Sequence, residues 1–188
     1  MINEATFVKE LTSSKGREKA FAKLLNLYQE RLYWHIRKLV ITHENADDVL
    51  QNTFLRVYKS LPNFKQKSSL HTWMYRIAYN ESLRFLEKNN KRQNVPIDDI
   101  NTSYLNNLVS DVFFDSNDAQ LKLQQILFEL PEREKQIFQM KYFDDLTFKD
   151  IEEIISVKES TIKSSYYNTV KHIEKNLHAV QLFTKTQV

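Results

Sequence analysis

A chain of 188 residues with a single glycine, Gly16, has few places to break its backbone. Three prolines, Pro62, Pro96 and Pro131, are the other interruptions. Glycine and proline punctuate turns and loops, so their scarcity leaves long helices as the main element available. The apolar residues agree with this. From Arg17 to about Lys38 they fall at helical spacing: Phe21, Leu24, Leu25, Tyr28, Leu32, Ile36 and Leu39. Thr42–Asn45 reads as a turn. A second helix is expected from Ala46 to about Ser60, with Val49, Leu50, Thr53, Phe54, Val57 and Leu61 on its apolar side. Pro62 stops it, since proline cannot continue the hydrogen-bond ladder. After a short basic loop, Ser68 or Ser69 is placed to cap a third long helix running to about Asn90. Together these make a three- or four-helix unit.

Residues 93–119 are rich in Asn, Asp and Ser and keep no period, which predicts a linker with at most a short helical turn around Ser103–Leu108. Helical spacing resumes near Leu121 with Leu123, Ile126, Leu127 and Leu130. Pro131 suits the first position of a helix Pro131–Tyr142. Asp144 and Asp145 mark a turn, and Thr147 with Asp150 forms a capping-box pattern opening a helix Phe148–Ile155. After a break at Ser156-Val157-Lys158, a last helix is expected from about Glu159 to Leu177. Two short helices, a tight turn and a longer polar helix outline a helix-turn-helix. Its expected interior is Ile151, Ile154, Ile155, Val157, Ile162, Tyr166, Val170 and Ile173. The fold class is therefore all-α: two small helical domains joined by a flexible acidic linker, the C-terminal one a helix-turn-helix.

Charge divides along the same lines. Residues 1–94 carry 17 Lys and Arg against 9 Asp and Glu, while 95–119 carry only Asp98, Asp99, Asp111, Asp115 and Asp118. Residues 120–188 carry ten of each sign. A basic first part and an acidic middle suggest two folded parts with different partners, joined by a segment of opposite sign. With 41% hydrophobic and 27% charged residues the composition is that of a globular chain, not a disordered one. Cysteine is absent, which excludes disulfides, thiolate nucleophiles and thiolate-bound metals. The histidines His35, His43, His71, His172 and His178 have no metal-ligand spacing, and Gly16 stands in no phosphate-cradling loop. No enzyme and no cofactor are expected. No apolar run approaches the roughly 20 residues that span a bilayer, and MINEATFVKE has no apolar signal region. A soluble cytoplasmic protein with no membrane insertion of its own is the expectation.

Two separate parts of the chain carry a resemblance. GREKAFAKLLNLYQERLYWHIR (16–37), DDVLQNTFLRVY (47–58) and LHTWMYRIAYN (70–80) resemble the first domain of extracytoplasmic-function sigma factors, of the sigma-70 family. LPEREKQIFQMKYFDDLTFKDIEEIISVKESTIKSS (130–165) resembles their second domain. The resemblance implies an alternative sigma factor that binds bacterial core RNA polymerase and directs it to promoter DNA, with room for an anti-sigma factor as a further partner. Residues 1–92 would bind core polymerase and recognise and melt the −10 element. Residues 120–188 would bind the −35 element as duplex. The two elements lie roughly 60 Å apart along the duplex axis. The intervening residues 93–119 can extend about 90 Å. Its aspartates suit either a positively charged channel of the polymerase or plain solvation. The competing readings are a helix-turn-helix regulator that binds operator duplex without polymerase, and a helical protein-interaction module.

The resemblance assigns Asp48, Gln51, Asn52, Leu55, Tyr58 and Lys59 to the polymerase contact, with Phe54 pointing inward; the family usually has Glu at the position of Asn52. On a helical wheel, Leu70, Trp73, Met74, Ile77 and Ala78 form one apolar arc, and Tyr75, Arg76 and Tyr79 lie outside it. Trp73 is thus expected to pack rather than stack on a base, the more so because Met74 replaces the second of two tryptophans of primary sigma factors. The −10 contacts fall to Lys65, Lys67, Ser68, His71, Arg76, Tyr79, Asn80, Arg84 and Lys88, with the loop Phe64–Ser69 capturing an unstacked base by resemblance. The −35 contacts fall to Lys158, Ser160, Thr161, Lys163, Ser164, Tyr167 and Lys171. Three departures mark this last helix pair: Ser156 for the usual glycine, Lys158 for a serine cap, and Ser165 for an arginine.

Overall fold

The computed structural model describes residues 4–13, 15–40, 42–90 and 118–185, with side-chain environments for 4–13, 15–40, 42–89 and 122–177. Among the described residues every regular element is helical. The chain divides into two compact units, Met1–Gln93 and Asn94–Val188. Most of the linker expected at 93–119, with its short turn, lies outside the described residues.

In the first unit α1 is Glu4–Thr12, α2 Arg17–Val40, α3 His43–Ser60 and α4 Leu70–Asn90, with a 3-10 turn at Leu61–Asn63 between the last two. Helices α2, α3 and α4 pack on one another, and α1 packs on α2 and on the 3-10 turn. The sequence reading began at Arg17 and missed α1, although Phe7, Val8 and Leu11 are at helical spacing and all buried. Gly16 opens α2 from a left-handed φ of 92°, and its carbonyl accepts the Ala20 N–H at 3.1 Å. A side chain at Gly16 would meet open space, so backbone conformation alone calls for glycine there. Helix α3 begins three residues earlier than expected. Thr42 is its N-cap, with extended backbone and a side-chain oxygen accepting the Asn45 N–H at 3.2 Å, so His43–Asn45 belong to the helix.

Helix α4 corrects the wheel. Tyr75, expected outside the apolar arc, is 1% exposed, while Trp73 and Ile77 are only partly buried. The buried face runs through Leu70, Thr72, Met74, Tyr75, Ala78 and Ser82, about a quarter turn from the expected arc. Two hydroxyl residues make this possible. Ser82 Oγ donates to the Ala78 carbonyl at 2.9 Å, and the Thr72 hydroxyl pairs with that of Ser69 at 2.6 Å. Satisfied locally, they can enter the core. Tyr75 fills the adjoining volume with its ring edge-on to the buried His35 at 4.9 Å. His35 and Arg37, on the buried side of α2, were likewise not expected there.

In the second unit α5 is Asp118–Glu129, α6 Glu132–Tyr142, α7 Phe148–Ile155 and α8 Glu159–Lys185. Helix α8 packs against the other three. Ile126, Leu127, Phe138 and Ile173 centre one cluster, bordered by Leu123, Leu130, Tyr166, Val170 and Leu177. Ile151, Ile154, Val157 and Ile162 are buried as expected of a helix-turn-helix interior. Pro131 sits one place before the helix rather than inside it. Its ψ of 138° is extended, and its carbonyl accepts the Glu134 N–H at 2.9 Å. The capping box at α7 is complete: Thr147 Oγ1 accepts the Asp150 N–H at 3.1 Å, and Asp150 Oδ2 accepts the Thr147 N–H at 3.0 Å.

Candidate nucleic-acid interface

Everything at the front of α4 is set by how the helix starts. Ser69 is the cap: its Oγ accepts the Thr72 N–H at 3.0 Å, and its carbonyl accepts the Trp73 N–H at 3.0 Å. Before it, Lys65 and Lys67 are exposed on either side of Gln66, which takes a left-handed φ of 53°. A non-glycine residue held in that region stores local strain, and it bends the loop between the two lysines. The loop is anchored at its first residue, where the Phe64 ring lies 4.7 Å from that of Trp73. Trp73 is thus committed to the protein on one side, as packing rather than stacking requires.

His71 stands at the loop's other end, partly buried between Tyr28 at 5.9 Å and Tyr75 at 4.5 Å, centroid to centroid. Burial raises the Tyr28 phenol above its ordinary value, with the negative charge of Glu4 adding and Arg31 opposing. Arg76 and Tyr79 are also partly buried, whereas Asn80, Arg84 and Lys88 are exposed. Arg84 is not a free phosphate cation: it pairs with Glu81, which also takes Arg56 of α3 at 2.5 Å. That carboxylate is only 12% exposed and ties α4 to α3. Arg84 follows Glu81 by three residues, a spacing visible in the sequence, and the fold adds Arg56 to the same carboxylate.

On α3, Asp48, Gln51, Asn52, Leu55 and Lys59 share the exposed face, as i, i+3, i+4 and i+7 spacing requires. Leu55 is 59% exposed while Phe54 is buried, the division the sequence predicted. Tyr58 is held partly under, edge-on to Phe21 at 4.9 Å. An exposed leucine among an acid, two amides and a lysine gives this face an apolar centre with a polar surround.

In the second unit the turn of the helix-turn-helix rests on Ser156, left-handed at φ 57° and ψ 43°, its N–H donating to the Glu152 carbonyl at 2.9 Å. The usual glycine is therefore replaced where its freedom is used. Lys158 caps α8 through its carbonyl, which accepts the Thr161 and Ile162 N–H groups at 2.9 and 3.1 Å, and it has no side-chain acceptor to offer. Ser160, Thr161, Lys163, Ser164, Tyr167 and Lys171 are all exposed along α8. Lys163 Nζ pairs with Glu159 at 2.6 Å, and that hydrogen bond raises its pKa. Ser164 Oγ donates back to the Ser160 carbonyl at 3.1 Å, which leaves its lone pairs outward. Tyr167 is 55% exposed beside Tyr166. Sequence reasoning passed over Tyr142 and Phe143, exposed at the end of α6 with Tyr142 stacked on Phe138 at 5.2 Å. Their spacing of four and five from Phe138 was the available signal.

Among the described residues, no helix is long and apolar enough to cross a membrane and no His, Asp and Glu cluster could hold a metal ion. Two family models match the chain: Sigma-70 region 2 over residues 24–92 and Sigma-70, region 4 over residues 120–173. The ECF RNA polymerase sigma factor SigW of Bacillus subtilis is 26% identical over 172 residues, covering 87% of this chain and 91% of that protein. The ECF RNA polymerase sigma-E factor of Escherichia coli (strain K12) is 27% identical over 173 residues, 87% of this chain and 89% of that one. Two solved structures share the fold at a TM-score of 0.65. One is CnrH in complex with the cytosolic domain of CnrY, 15% identical over 94% of this chain and 97% of that one. The other is the sigma factor RpoE in complex with the anti-sigma factor NepR from Bartonella quintana, 18% identical over 85% and 98%. Region 2 falls on the unit with the basic loop and the exposed α3 face, region 4 on the helix-turn-helix, and the chain belongs to the sigma-70 family, in its extracytoplasmic-function group.

Proposed function

We propose that the chain works as an alternative sigma factor whose three exposed faces divide the task. Asp48, Gln51, Asn52, Leu55, Tyr58 and Lys59 on α3 dock on core RNA polymerase. The loop Phe64–Ser69, with Lys65, Lys67, Ser68 and His71, captures a base of the −10 element. Arg76, Tyr79, Asn80 and Lys88 follow the strand along α4, and Arg84 joins them by exchanging its Glu81 partner for phosphate. Lys158, Ser160, Thr161, Lys163, Ser164, Tyr167 and Lys171 meet the −35 duplex.

The observation that carries this reading is the pairing of the two matched regions with two differently built surfaces. A strained basic loop leads one helix, and a row of short polar side chains covers the other. A regulator acting on operator duplex alone would leave the α3 face and the loop without a task. The chain itself performs no catalysis in this account; bond formation belongs to the polymerase, and the protein works in the cytoplasm beside it. The RpoE neighbour is held by an anti-sigma factor, which supports a partner of that kind here. The test compares His71→Ala with Lys163→Ala in two assays, promoter opening and binding to −35 duplex. The first variant loses chiefly opening and the second chiefly duplex affinity; equal losses in both assays would refute the division.

A further inference from the structure

Helix α1 lies outside the matched region 2, which begins at residue 24. It nonetheless reaches both ends of the loop 64–69. Upstream, α1 packs against the 3-10 turn Leu61–Asn63, whose Leu61 is fully buried. Downstream, Glu4 Oε1 accepts the backbone N–H of Leu70 at 2.8 Å, a contact between residues 66 apart in sequence. Leu70 is the first residue of α4, and the N–H groups of a first turn have no partner within their own helix. Two of those donors are satisfied from different directions, Thr72 by the local cap Ser69 and Leu70 by Glu4. A carboxylate at this end also meets the positive pole of the helix, and the bond is charge-assisted. The Tyr28 phenol, raised chiefly by burial, is raised further by the charge of the same carboxylate, and the Tyr28 ring contacts His71, the residue after Leu70.

We propose that Glu4 is a positioning residue for promoter opening. Its carboxylate fixes the downstream end of the loop while α1 holds the upstream end, so the loop meets DNA already in its working shape. The role rests on the reading of loop 64–69 as the base-capturing element. Preorganisation lowers the ordering cost that a free loop would meet on binding. The contact is a single, partly exposed hydrogen bond to a charged group, so its loss is expected to slow opening by about 3- to 10-fold.

The full chain is tested as Glu4→Ala and as Glu4→Gln, which keeps an acceptor oxygen of the same reach. Hydrogen exchange on the protein without polymerase reads the contact directly. Glu4→Ala accelerates exchange of the Leu70 amide by about 10-fold and leaves the α3 amides unchanged, while Glu4→Gln stays near the parent. With core polymerase, Glu4→Ala slows promoter opening, Glu4→Gln restores it to within about 2-fold, and both keep core affinity and −35 duplex affinity. Unchanged Leu70 exchange in Glu4→Ala overturns the contact whatever the polymerase assay shows. Faster exchange with undiminished opening overturns the positioning role and leaves the sigma reading intact. Parallel losses in opening, core affinity and −35 binding overturn it too, since they mark a general fold defect. A parent protein that opens no promoter contradicts the sigma reading and takes this role with it.

Discussion

The rings of Phe64 and Trp73 lie 4.7 Å apart with their planes tilted by 36°, so the first residue of the basic loop is fastened to the first turn of the helix that follows it. Trp73→Ala removes that anchor. The first unit should lose about 1–2 kcal/mol, less than for a fully buried tryptophan because Trp73 is partly exposed. Both tryptophans of the chain, Trp34 and Trp73, lie in this unit, so the fluorescence of the remaining Trp34 in a urea titration reports the change. Trp73→Phe should keep most of the stability.

Ser156 occupies the left-handed turn between α7 and α8 at φ 57°. A side chain there crowds the following carbonyl, so Ser156→Gly should stabilise the second unit by about 0.5–1 kcal/mol. Ser156→Val should cost more than about 1 kcal/mol, because branching at Cβ worsens the crowding. Thermal unfolding followed by far-ultraviolet circular dichroism measures both.

Tyr28 gives the first unit an alkaline limit. Burial first, and Glu4 second, raise its pKa in the folded state. Folding therefore favours the protonated phenol. This contribution is complete below the unfolded value of about 10 and is lost as pH rises through the folded value. The urea midpoint read by tryptophan fluorescence should keep the Tyr28 contribution up to about pH 10 and lose it above that, so the fall above about pH 10 should be smaller in Tyr28→Phe. Equal slopes for the two proteins would show that Tyr28 does not contribute.

Lys163 is held by Glu159 at 2.6 Å on the exposed face of α8. Lys163→Ala should weaken −35 duplex binding and reduce the salt slope of the affinity by about one. Glu159→Gln releases the ammonium from its partner and should strengthen binding by about 2-fold, chiefly at low salt. Fluorescence anisotropy on a labelled duplex across a salt series distinguishes the two. In the parent the Glu159 hydrogen bond raises the Lys163 pKa, so this group should add no pH dependence to the parent's duplex affinity between about pH 6 and pH 9.

How much of this was readable in advance depended on what kind of residue wrote it. Pro62, Thr147 with Asp150, and the α3 spacing that buries Phe54 and exposes Leu55 act within one helix or one turn, and the fold uses them as the sequence suggested. The α4 face was misread because the wheel counted only apolar side chains. Thr72 and Ser82 satisfy their hydroxyls locally and go inside, which turns Tyr75 toward His35. Helix α1 carried a visible Phe7, Val8, Leu11 stripe, but nine residues are too few to stand alone without the tertiary contacts it makes. Arg56 on Glu81, and Glu4 on Leu70, join residues distant in sequence and have no local signature, whereas Glu81 with Arg84 is an i, i+3 pair written in the sequence itself.

The central claim is that this chain programs core RNA polymerase through an exposed face of α3. Transcription in vitro with purified core polymerase and a bacterial promoter library tests it, using the parent chain beside Leu55→Glu. Leu55 is 59% exposed, so the variant should keep the parent's circular dichroism and urea midpoint. The account predicts specific transcripts from the parent and at least about a 10-fold loss of core affinity and transcript yield in Leu55→Glu, as expected when a charge replaces an apolar anchor. A parent chain that forms no complex with core polymerase and yields no specific transcript would contradict it.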